Sequence, residues 1–197
     1  MVIAAILMAD HDAAIDGLPI ALLPWRDDET LIEYEVAQMQ AAGVDVIVVV
    51  LGFEAERIIP LVARDGVEPI VNDRWRDGAA GSMRVGATAV PRDTDTAVLV
   101  SVAEPRSSDV YRALINEHAR ADADIARSSY NGVASTPVVV GHAALAQLRN
   151  TTDHGGVDAV LARYADEIAE VAFDERALVR IVSEDDYVRA RARGGLE

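Results

Sequence analysis

Acidic side chains and a histidine follow directly after the first apolar run of the chain. Asp10, His11 and Asp12 come after the segment Val2–Met8, and no glycine precedes Gly17. A loop at this place in an open α/β protein often binds phosphate, and such loops are usually glycine-rich and basic. This loop has the opposite charge. Carboxylate and imidazole groups are ligands for divalent metals, so Asp10 and His11 are candidate metal ligands.

A second aspartate–histidine pair lies far along the chain, at Asp153 and His154. If the two loops converge above a common sheet, they could together hold a divalent metal. The alternative is that both pairs are polar groups of solvated loops. Metal analysis of the purified protein and of a His11→Ala variant distinguishes these interpretations.

The composition restricts the classes of partner. All 18 basic residues are arginine, against 33 acidic residues, and the formal net charge is −15. Such a surface repels nucleic acid and anionic membranes, so we expect neither as a partner. The absence of lysine and cysteine excludes Schiff-base and thiolate chemistry. Without cysteine, a signal peptide pattern or a long apolar run, a cytoplasmic location is expected.

Apolar runs rich in β-branched residues alternate with helical patterns along the 197 residues. Val44–Leu51 is typical of a buried parallel strand, and Leu31–Ala42 has helical spacing and ends at Gly43. This alternation predicts one α/β domain, residues 1–197, with a doubly wound, Rossmann-like, mostly parallel sheet and helices on both faces. Further strands are predicted at Val2–Met8, Val67–Val71, Ala97–Val102, Ile168–Phe173 and Ala177–Val182, and further helices at Glu54–Arg64, Gly81–Val90, Ser107–Arg120, His142–Arg149, Val157–Ala165 and Asp185–Arg193.

The segment NDRWRDGAAGSMRVG, Asn72–Gly86, has the spacing N-x-x-W-x-x-G-x-x-x-S-[LM]-x-x-G. Its glycines let the backbone approach a flat ligand, and a helix starting at Ser82 would point free N–H groups at an anion. A turn followed by a helix cap is the alternative. The candidate nucleotide-binding residues are Asn72, Gly78, Gly81, Ser82 and Met83.

This segment resembles the one after the third strand of the MobA-like NTP transferases, the molybdenum-cofactor guanylyl- and cytidylyltransferases. Other segments agree in order and spacing, so that the resemblance covers nearly the whole chain and implies a nucleotide-diphospho-sugar-transferase type of fold. GLPIALLP (Gly17–Pro24) resembles G-x-P-K-x-L-L-P, YNGVASTPVVV (Tyr130–Val140) resembles Y-x-G-x-x-G-H-P-V, DHGG (Asp153–Gly156) resembles D-x-G-A, and SEDDY (Ser183–Tyr187) resembles T-P-E-D-Y.

The resemblance also implies an activity, the transfer of a nucleotidyl group. A pterin phosphate would attack the α-phosphate of CTP or GTP and release pyrophosphate. A basic, glycine-rich loop would hold the triphosphate, and aspartates would hold the Mg²⁺ that neutralises the developing charge. The implied cofactors are therefore Mg²⁺ and an NTP.

Several positions depart from the family pattern. The loop lysine becomes Ile20, and the late acidic motif D-I-D becomes Arg180–Val182. The metal-binding aspartate after the fourth strand becomes Ala103, or Glu104 if the gap is shifted by one residue. Glu104 is thus the candidate catalytic carboxylate and metal ligand. Losing a cation about 4 Å from a triphosphate costs on the order of a few kcal/mol, unless other arginines compensate. The candidates for compensation are Arg26, Arg84 and Arg106.

Three hypotheses remain open after the sequence alone. The leading one is a diverged nucleotidyltransferase that is weakly active or inactive. The second is an active transferase that uses Glu104 and arginines. The third is a non-catalytic partner protein in metallocofactor maturation, which would act through a protein partner or as a homo-oligomer. A nucleotide or a pterin-like small molecule is the expected ligand in the first two cases.

Overall fold

The structure of the protein is a computed structural model that describes residues 1–121, 123–151, 156–174, 177 and 179–192. Over these residues strands and helices alternate along the chain. The strands are β1 (Ile3–Ala9), β2 (Ala14–Ile15), β3 (Leu18–Pro19), β4 (Pro24–Arg26), β5 (Glu29–Thr30), β6 (Val46–Leu51), β7 (Val67–Val71), β8 (Thr96–Ser101), β9 (Ile125–Tyr130), β10 (Val133–Gly141) and β11 (Ile168–Phe173). The helices are α1 (Leu31–Ala41), α2 (Ala55–Val62), α3 (Ala79–Ala89), α4 (Ser108–Ala121), α5 (His142–Asn150), α6 (Gly156–Leu161) and α7 (Glu184–Ala192), with 3₁₀ turns at Ile20–Leu22, Trp75–Asp77 and Ala162–Glu167.

Seven of the described strands form one central sheet in the order β11-β9-β10-β8-β1-β6-β7. β10 pairs antiparallel with β8 and β9, whereas the other described pairs in this sheet are parallel. β1 lies between β6 and β8, with Met8 opposite Val50 of β6 and Ser101 of β8. The mostly parallel α/β sheet predicted from the sequence is confirmed. Its parallel strands bring the ends of β1 and β8 to the same edge.

Alternation along the strands explains why helices cover both faces. In β1, Ala5 and Leu7 pack into one apolar layer with α1, α2 and α4, while Ala4 and Ile6 pack into the other layer with α3 and α5. Successive side chains of a strand point to opposite faces, so a strand buried on both sides is apolar at every position. The near-continuous apolar runs of the sequence follow from this two-sided burial.

Helix α3 packs unusually close to the sheet at Gly86. A Cβ atom at this position would lie 2.5 Å from Cγ2 of Ile6 and 2.9 Å from Cγ2 of Val50. Contacts this short are repulsive, so only glycine allows the helix to approach β1 and β6 as closely as it does. The position of Gly86 therefore sets the height of α3 above the sheet.

Two details differ from the predicted elements. Residues 177 and 179–182 of the predicted strand Ala177–Val182 are not in a strand, although Ile181 N donates to Ala103 O at 2.8 Å. The segment was apolar enough to suggest a strand, but this contact is to the loop after β8 and not to a neighbouring strand. Helix α3 begins at Ala79 and not at Ser82. Within the described part of the chain, no helix is long and apolar enough to cross a membrane.

Candidate functional site

A cavity of about 850 Å³ opens above the edge of the sheet where β1 and β8 end. Met8 and Ser101 lie at its base, at the carboxyl ends of these neighbouring strands. Because β10 runs antiparallel, its early residues reach the same edge, and Thr136 lines the opposite wall. Ligands of open α/β sheets bind outside the carboxyl ends of the strands, so this cavity is the candidate site.

The segment after β1 forms a β-hairpin. β2 and β3 pair across the two-residue turn Asp16–Gly17, whose φ angles of 51° and 78° are both positive. Positive φ at both central residues is characteristic of the type I′ turn, for which Asp-Gly is a preferred sequence. Ile20 N donates to Ala13 O at 3.1 Å and closes the base of the hairpin. Some backbone N–H groups of this segment are therefore committed to the hairpin.

Of the acidic loop, Asp10, His11 and Asp12 line the cavity. The Asp10 side chain is only 5% exposed, and its backbone carbonyl accepts a hydrogen bond from Phe53 N at 3.2 Å. A Cβ at Gly52 would lie 2.5 Å from this carbonyl oxygen, so glycine there lets β1 and β6 meet closely at the site. The Nδ1 atom of His11 is buried without a hydrogen bond within the described residues.

Glu104, and not Ala103, faces the cavity. Its side chain is 13% exposed and lies between two arginines: Oε2 is 3.6 Å from Nη2 of Arg106, and Oε1 is 3.5 Å from Nε of Arg180. Ala103 packs against the apolar layer that contains α1 and α4. Of the two positions that the sequence left open, Glu104 is the one whose carboxylate enters the site.

The Asn72–Gly86 segment forms the wall beside α3. Gly78 and Met83 line the cavity, and Gly78 has a φ of 114°, which glycine adopts readily at the start of the helix. Gly81 lies in the first turn of α3 and is not among the described lining residues. The structure thus brings two of the five candidate residues directly to the cavity.

Asn72 and Ser82 are both buried away from the cavity surface and bond to each other. Asn72 Nδ2 donates to Ser82 Oγ at 2.8 Å, and Asn72 Oδ1 accepts from Arg74 N at 3.0 Å. These bonds tie the end of β7 to the first turn of α3 across ten residues. These contacts hold the cavity wall in place. From the residue types alone, this structural role cannot be told apart from ligand binding.

Positive charge reaches the cavity from positions that the sequence did not suggest. Of the described residues, the arginines that line it are Arg76, Arg127 and Arg180. Arg76 stacks 4.1 Å from the ring centre of Trp75, which also lines the cavity, and Arg127 is ion-paired with Glu170. These arginines come from the turn before α3, from β9 and from the segment before α7.

The arginines suggested by the sequence lie elsewhere. Arg26 packs over the Tyr34 ring at 5.2 Å, and exposed Arg84 donates from Nη1 to Thr151 O at 3.1 Å. Arg106 is completely buried below the cavity wall. Arg76 and Arg127 had no signal in the sequence, because they are distant from each other along the chain, whereas Arg180 stands where the family pattern has its late D-I-D motif.

The carboxylates that could hold a cation are spread along the cavity. Asp10, Glu104 and Asp158 line it together with Asp12, but no group of three His, Cys, Asp or Glu among the described residues converges as a metal site. Asp153 and His154 lie outside the described residues. Of the two carboxylate oxygens of Glu104, Oε2 is buried beside Arg106, whereas Oε1 lies beside the exposed Arg180 that lines the cavity, so Oε1 is the oxygen that a cation can reach. Mg²⁺ commonly uses one or two carboxylates and completes its shell with water and substrate phosphates, and these residues fit that requirement.

Beneath Glu104, a buried polar network joins α1 to the loop after β8. The fully buried Glu35 accepts a hydrogen bond from Arg106 N at 2.7 Å and another from the Tyr111 hydroxyl. Burial raises the pKa of Glu35 to about 8, although these hydrogen bonds and the Arg106 charge oppose the shift. Burial also raises the pKa of Tyr111. The network anchors the backbone next to Glu104.

Comparisons with known proteins agree with this fold. Rv0371c from Mycobacterium tuberculosis H37Rv, in a crystal structure with manganese, superposes with a TM-score of 0.79 at 24% identity, covering 96% of this chain and 97% of that chain. A nucleotidyl transferase from Methanothermobacter has a TM-score of 0.79 at 22% identity, covering 97% and 96%. The 4-diphosphocytidyl-2C-methyl-D-erythritol synthase of Anaerococcus prevotii has a TM-score of 0.75 at 15% identity, covering 97% and 95%. A comparison with curated proteins found no matching sequence.

The structural similarities show a shared fold, and a family model shows more. The model of the MobA-like NTP transferase domain matches residues 5–168, which include β1, the segment after β7 and the loop of Glu104. The matched region therefore carries most of the described cavity wall. This chain belongs to the MobA-like NTP transferase family.

Proposed function

We propose that this protein binds a nucleoside triphosphate, CTP or GTP, together with Mg²⁺ in the cavity, and that it is a diverged nucleotidyltransferase whose transfer step is slow. In this reaction an oxygen of a phosphorylated acceptor, such as a pterin phosphate, bonds to the α-phosphorus and pyrophosphate leaves. The observation that carries the proposal is that Asp10 and Glu104, which follow the adjacent parallel strands β1 and β8, line one cavity together with three arginines.

The acidic residues give the cavity a way to bind a metal–nucleotide complex. Glu104 and Asp10 are the residues that would hold Mg²⁺, because both line the cavity and Oε1 of Glu104 is paired only with the exposed Arg180 within the described residues. A bound Mg²⁺ would neutralise the negative charge that develops during phosphoryl transfer. Manganese in the structure of Rv0371c supports a divalent metal in a related fold.

The size and lining of the cavity support a nucleotide with an acceptor beside it. Its volume of about 850 Å³ lies near the upper end of the range of small-molecule sites, which is roughly 300–1,000 Å³. Trp75 offers a flat apolar surface next to Gly78, where a base or a pterin ring can pack. The diphosphocytidyl chemistry named for the Anaerococcus enzyme supports CTP as one of the two nucleotides to test.

The slow transfer step follows from the segment after β1. Ile20, which takes the place of the family's lysine, is 2% exposed and packs in the core. The hairpin uses backbone N–H groups of this segment internally, and Asp12 adds negative charge at the cavity. A like charge about 4 Å from a phosphate costs on the order of a few kcal/mol at a partly desolvated surface. The triphosphate is therefore held mainly by the arginines and the metal.

Calorimetric titration with CTP, GTP and ATP in the presence of Mg²⁺, followed by a pyrophosphate-release assay with a phosphorylated pterin, tests the proposal. We expect a Kd of about 100 μM or weaker for CTP or GTP. We expect turnover at least 100-fold below the roughly 10 s⁻¹ of a typical enzyme. Glu104→Gln is expected to reduce pyrophosphate release at least tenfold because it removes the metal-binding carboxylate.

The control is Glu68→Gln, the same substitution at an exposed position of β7 outside the described cavity lining. It should leave binding and turnover unchanged. No heat of binding at millimolar nucleotide would refute nucleotide binding and favour the non-catalytic partner role. Micromolar binding with turnover at ordinary enzyme rates would refute the slow transfer step.

A further inference from the structure

The two carboxylate oxygens of Glu104 each lie next to an arginine, one fully buried and one largely exposed. Oε2 lies 3.6 Å from Nη2 of Arg106, and Oε1 lies 3.5 Å from Nε of Arg180. A metal at the cavity must approach the same carboxylate. Either Arg106 or Arg180 must move away from Glu104 when the metal binds.

Arg106 is held in place by complete burial and by hydrogen bonds from both of its terminal nitrogens. Its side chain is 0% exposed, its Nη1 donates to Val179 O at 2.7 Å and to Pro105 O at 2.9 Å, and its Nη2 donates to Thr136 O at 3.1 Å. Moving this guanidinium would leave a buried charge and several carbonyl groups without partners, which is costly. Arg106 is therefore a fixed partner of Glu104.

Arg180 is the exposed one of the two arginines. Its side chain is 71% exposed and lines the cavity, and within the described residues its polar contact is with Glu104. Its backbone is nevertheless anchored on both sides, because Val179 O accepts from Arg106 and Ile181 N donates to Ala103 O at 2.8 Å. The Cα of Arg180 stays at the cavity rim while its long side chain can swing.

We propose that Arg180 is an exchangeable counter-cation of Glu104, which a divalent metal displaces and which then binds the phosphates of the metal-bound nucleotide. The second half of this inference rests on the function proposed above. Exposed ion pairs are weak, so a divalent ion can replace Arg180, whereas the desolvated pair with Arg106 persists. The planar guanidinium is suited to phosphate oxygens, and Arg180 already lies in the cavity that would hold them.

The exchange gives Arg180 opposite effects on two ligands. Without nucleotide, Arg180 competes with the metal for Glu104, and its removal should strengthen metal binding. With nucleotide, the released arginine contacts phosphate, and its removal should weaken binding of the metal–nucleotide complex. A residue that only supports the local structure would change both affinities in the same direction.

The test uses the full chain and Arg180→Ala, with Mn²⁺ as the metal probe. Free Mn²⁺ is measured by electron paramagnetic resonance in titrations of Mn²⁺ alone, and Mn²⁺–CTP and Mn²⁺–GTP binding is measured by calorimetry. We expect Arg180→Ala to bind Mn²⁺ alone about fivefold more tightly, the size set by an exposed ion pair. We expect it to bind the metal–nucleotide complex about tenfold more weakly, as for the loss of one charge-assisted hydrogen bond. Glu104→Gln should lose most Mn²⁺ binding.

The matched control is Arg189→Ala on α7. Arg189 is 65% exposed and paired with Asp186 at 2.7 Å, so this variant makes the same change in net charge away from the described cavity lining. It should leave both affinities unchanged. Unaltered or weaker Mn²⁺ binding by Arg180→Ala, or full Mn²⁺ binding by Glu104→Gln, would overturn the exchange. Wild-type protein that binds no nucleotide would refute the proposed function and the phosphate role, while the titration with Mn²⁺ alone would still decide the competition at Glu104.

Discussion

In the wild type, the free energy of unfolding is expected to fall as the pH rises, because Glu35 is buried. Replacing Glu35 by glutamine is expected to remove this fall. Glu35 lies in α1 with no exposed surface, and its carboxylate accepts hydrogen bonds from Arg106 N and the Tyr111 hydroxyl. A glutamine can keep both contacts, because its carbonyl oxygen accepts from the backbone and its amide donates to the tyrosine oxygen. The substitution therefore removes the ionisable proton, keeps the bond from Arg106 N and reverses the direction of the bond with Tyr111.

The magnitude follows from the shifted pKa of Glu35. Burial raises it from 4.5 to about 8 in the folded protein, so between these pH values the folded state binds a proton that the unfolded state has released. The free energy of unfolding then falls as the pH rises through this range and levels off above about pH 8. Each unit of pKa difference corresponds to about 1.4 kcal/mol, which gives a ceiling of about 5 kcal/mol. Local relaxation reduces such penalties, and we expect roughly 2 to 4 kcal/mol.

Urea denaturation of the wild type, Glu35→Gln and Glu56→Gln from pH 5 to pH 8.5 measures this effect. The difference in the free energy of unfolding between Glu35→Gln and the wild type should grow with pH, in favour of the variant. Glu56→Gln makes the same substitution at an exposed position of α2 and should follow the wild type. Parallel curves for Glu35→Gln and the wild type would show that the buried carboxyl does not carry the pH dependence.

Two further substitutions test the packing of the fold. Gly86→Ala places a Cβ within 3 Å of Ile6 and Val50 and should lower the free energy of unfolding by about 1–3 kcal/mol; an unchanged urea midpoint would contradict the close approach of α3. Thr30→Ala removes the capping box in which the Thr30 hydroxyl and backbone N–H both bond to Glu33. It should cost about 1 kcal/mol in the same measurement, and a neutral result would show that the cap does not stabilise α1.

The central sheet could be predicted from the sequence because its signal is local. Val44–Leu51 is apolar at nearly every position, as a strand buried on both faces must be, and most predicted helices agree with the observed ones within a few residues. The exception, Ala177–Val182, has the composition of a strand but bonds to the loop after β8. Composition does not reveal whether a sheet edge is available for pairing.

The candidate site was only partly predictable. Asp10 could be found because it directly follows the first strand, and Glu104 because the family resemblance implies a metal-binding carboxylate in the loop after the fourth strand. The Asp16–Gly17 turn also had a local signal, since Asp-Gly between short apolar stretches favours a type I′ hairpin, but the resemblance to a phosphate loop obscured it. The sequence could not predict that Arg127 and Arg180 meet at one cavity, because they are joined only by the tertiary fold.

The contacts that anchor the segment around Val179 determine when, during synthesis, the cavity can be completed. Arg106 bonds to Val179, and Arg180 completes the cavity rim, yet every strand of the central sheet comes earlier in the chain. On the ribosome, the whole sheet therefore emerges before the last wall of the pocket. In the proposed function, nucleotide binding would therefore be a late event of biogenesis, which becomes possible only when this final segment has docked.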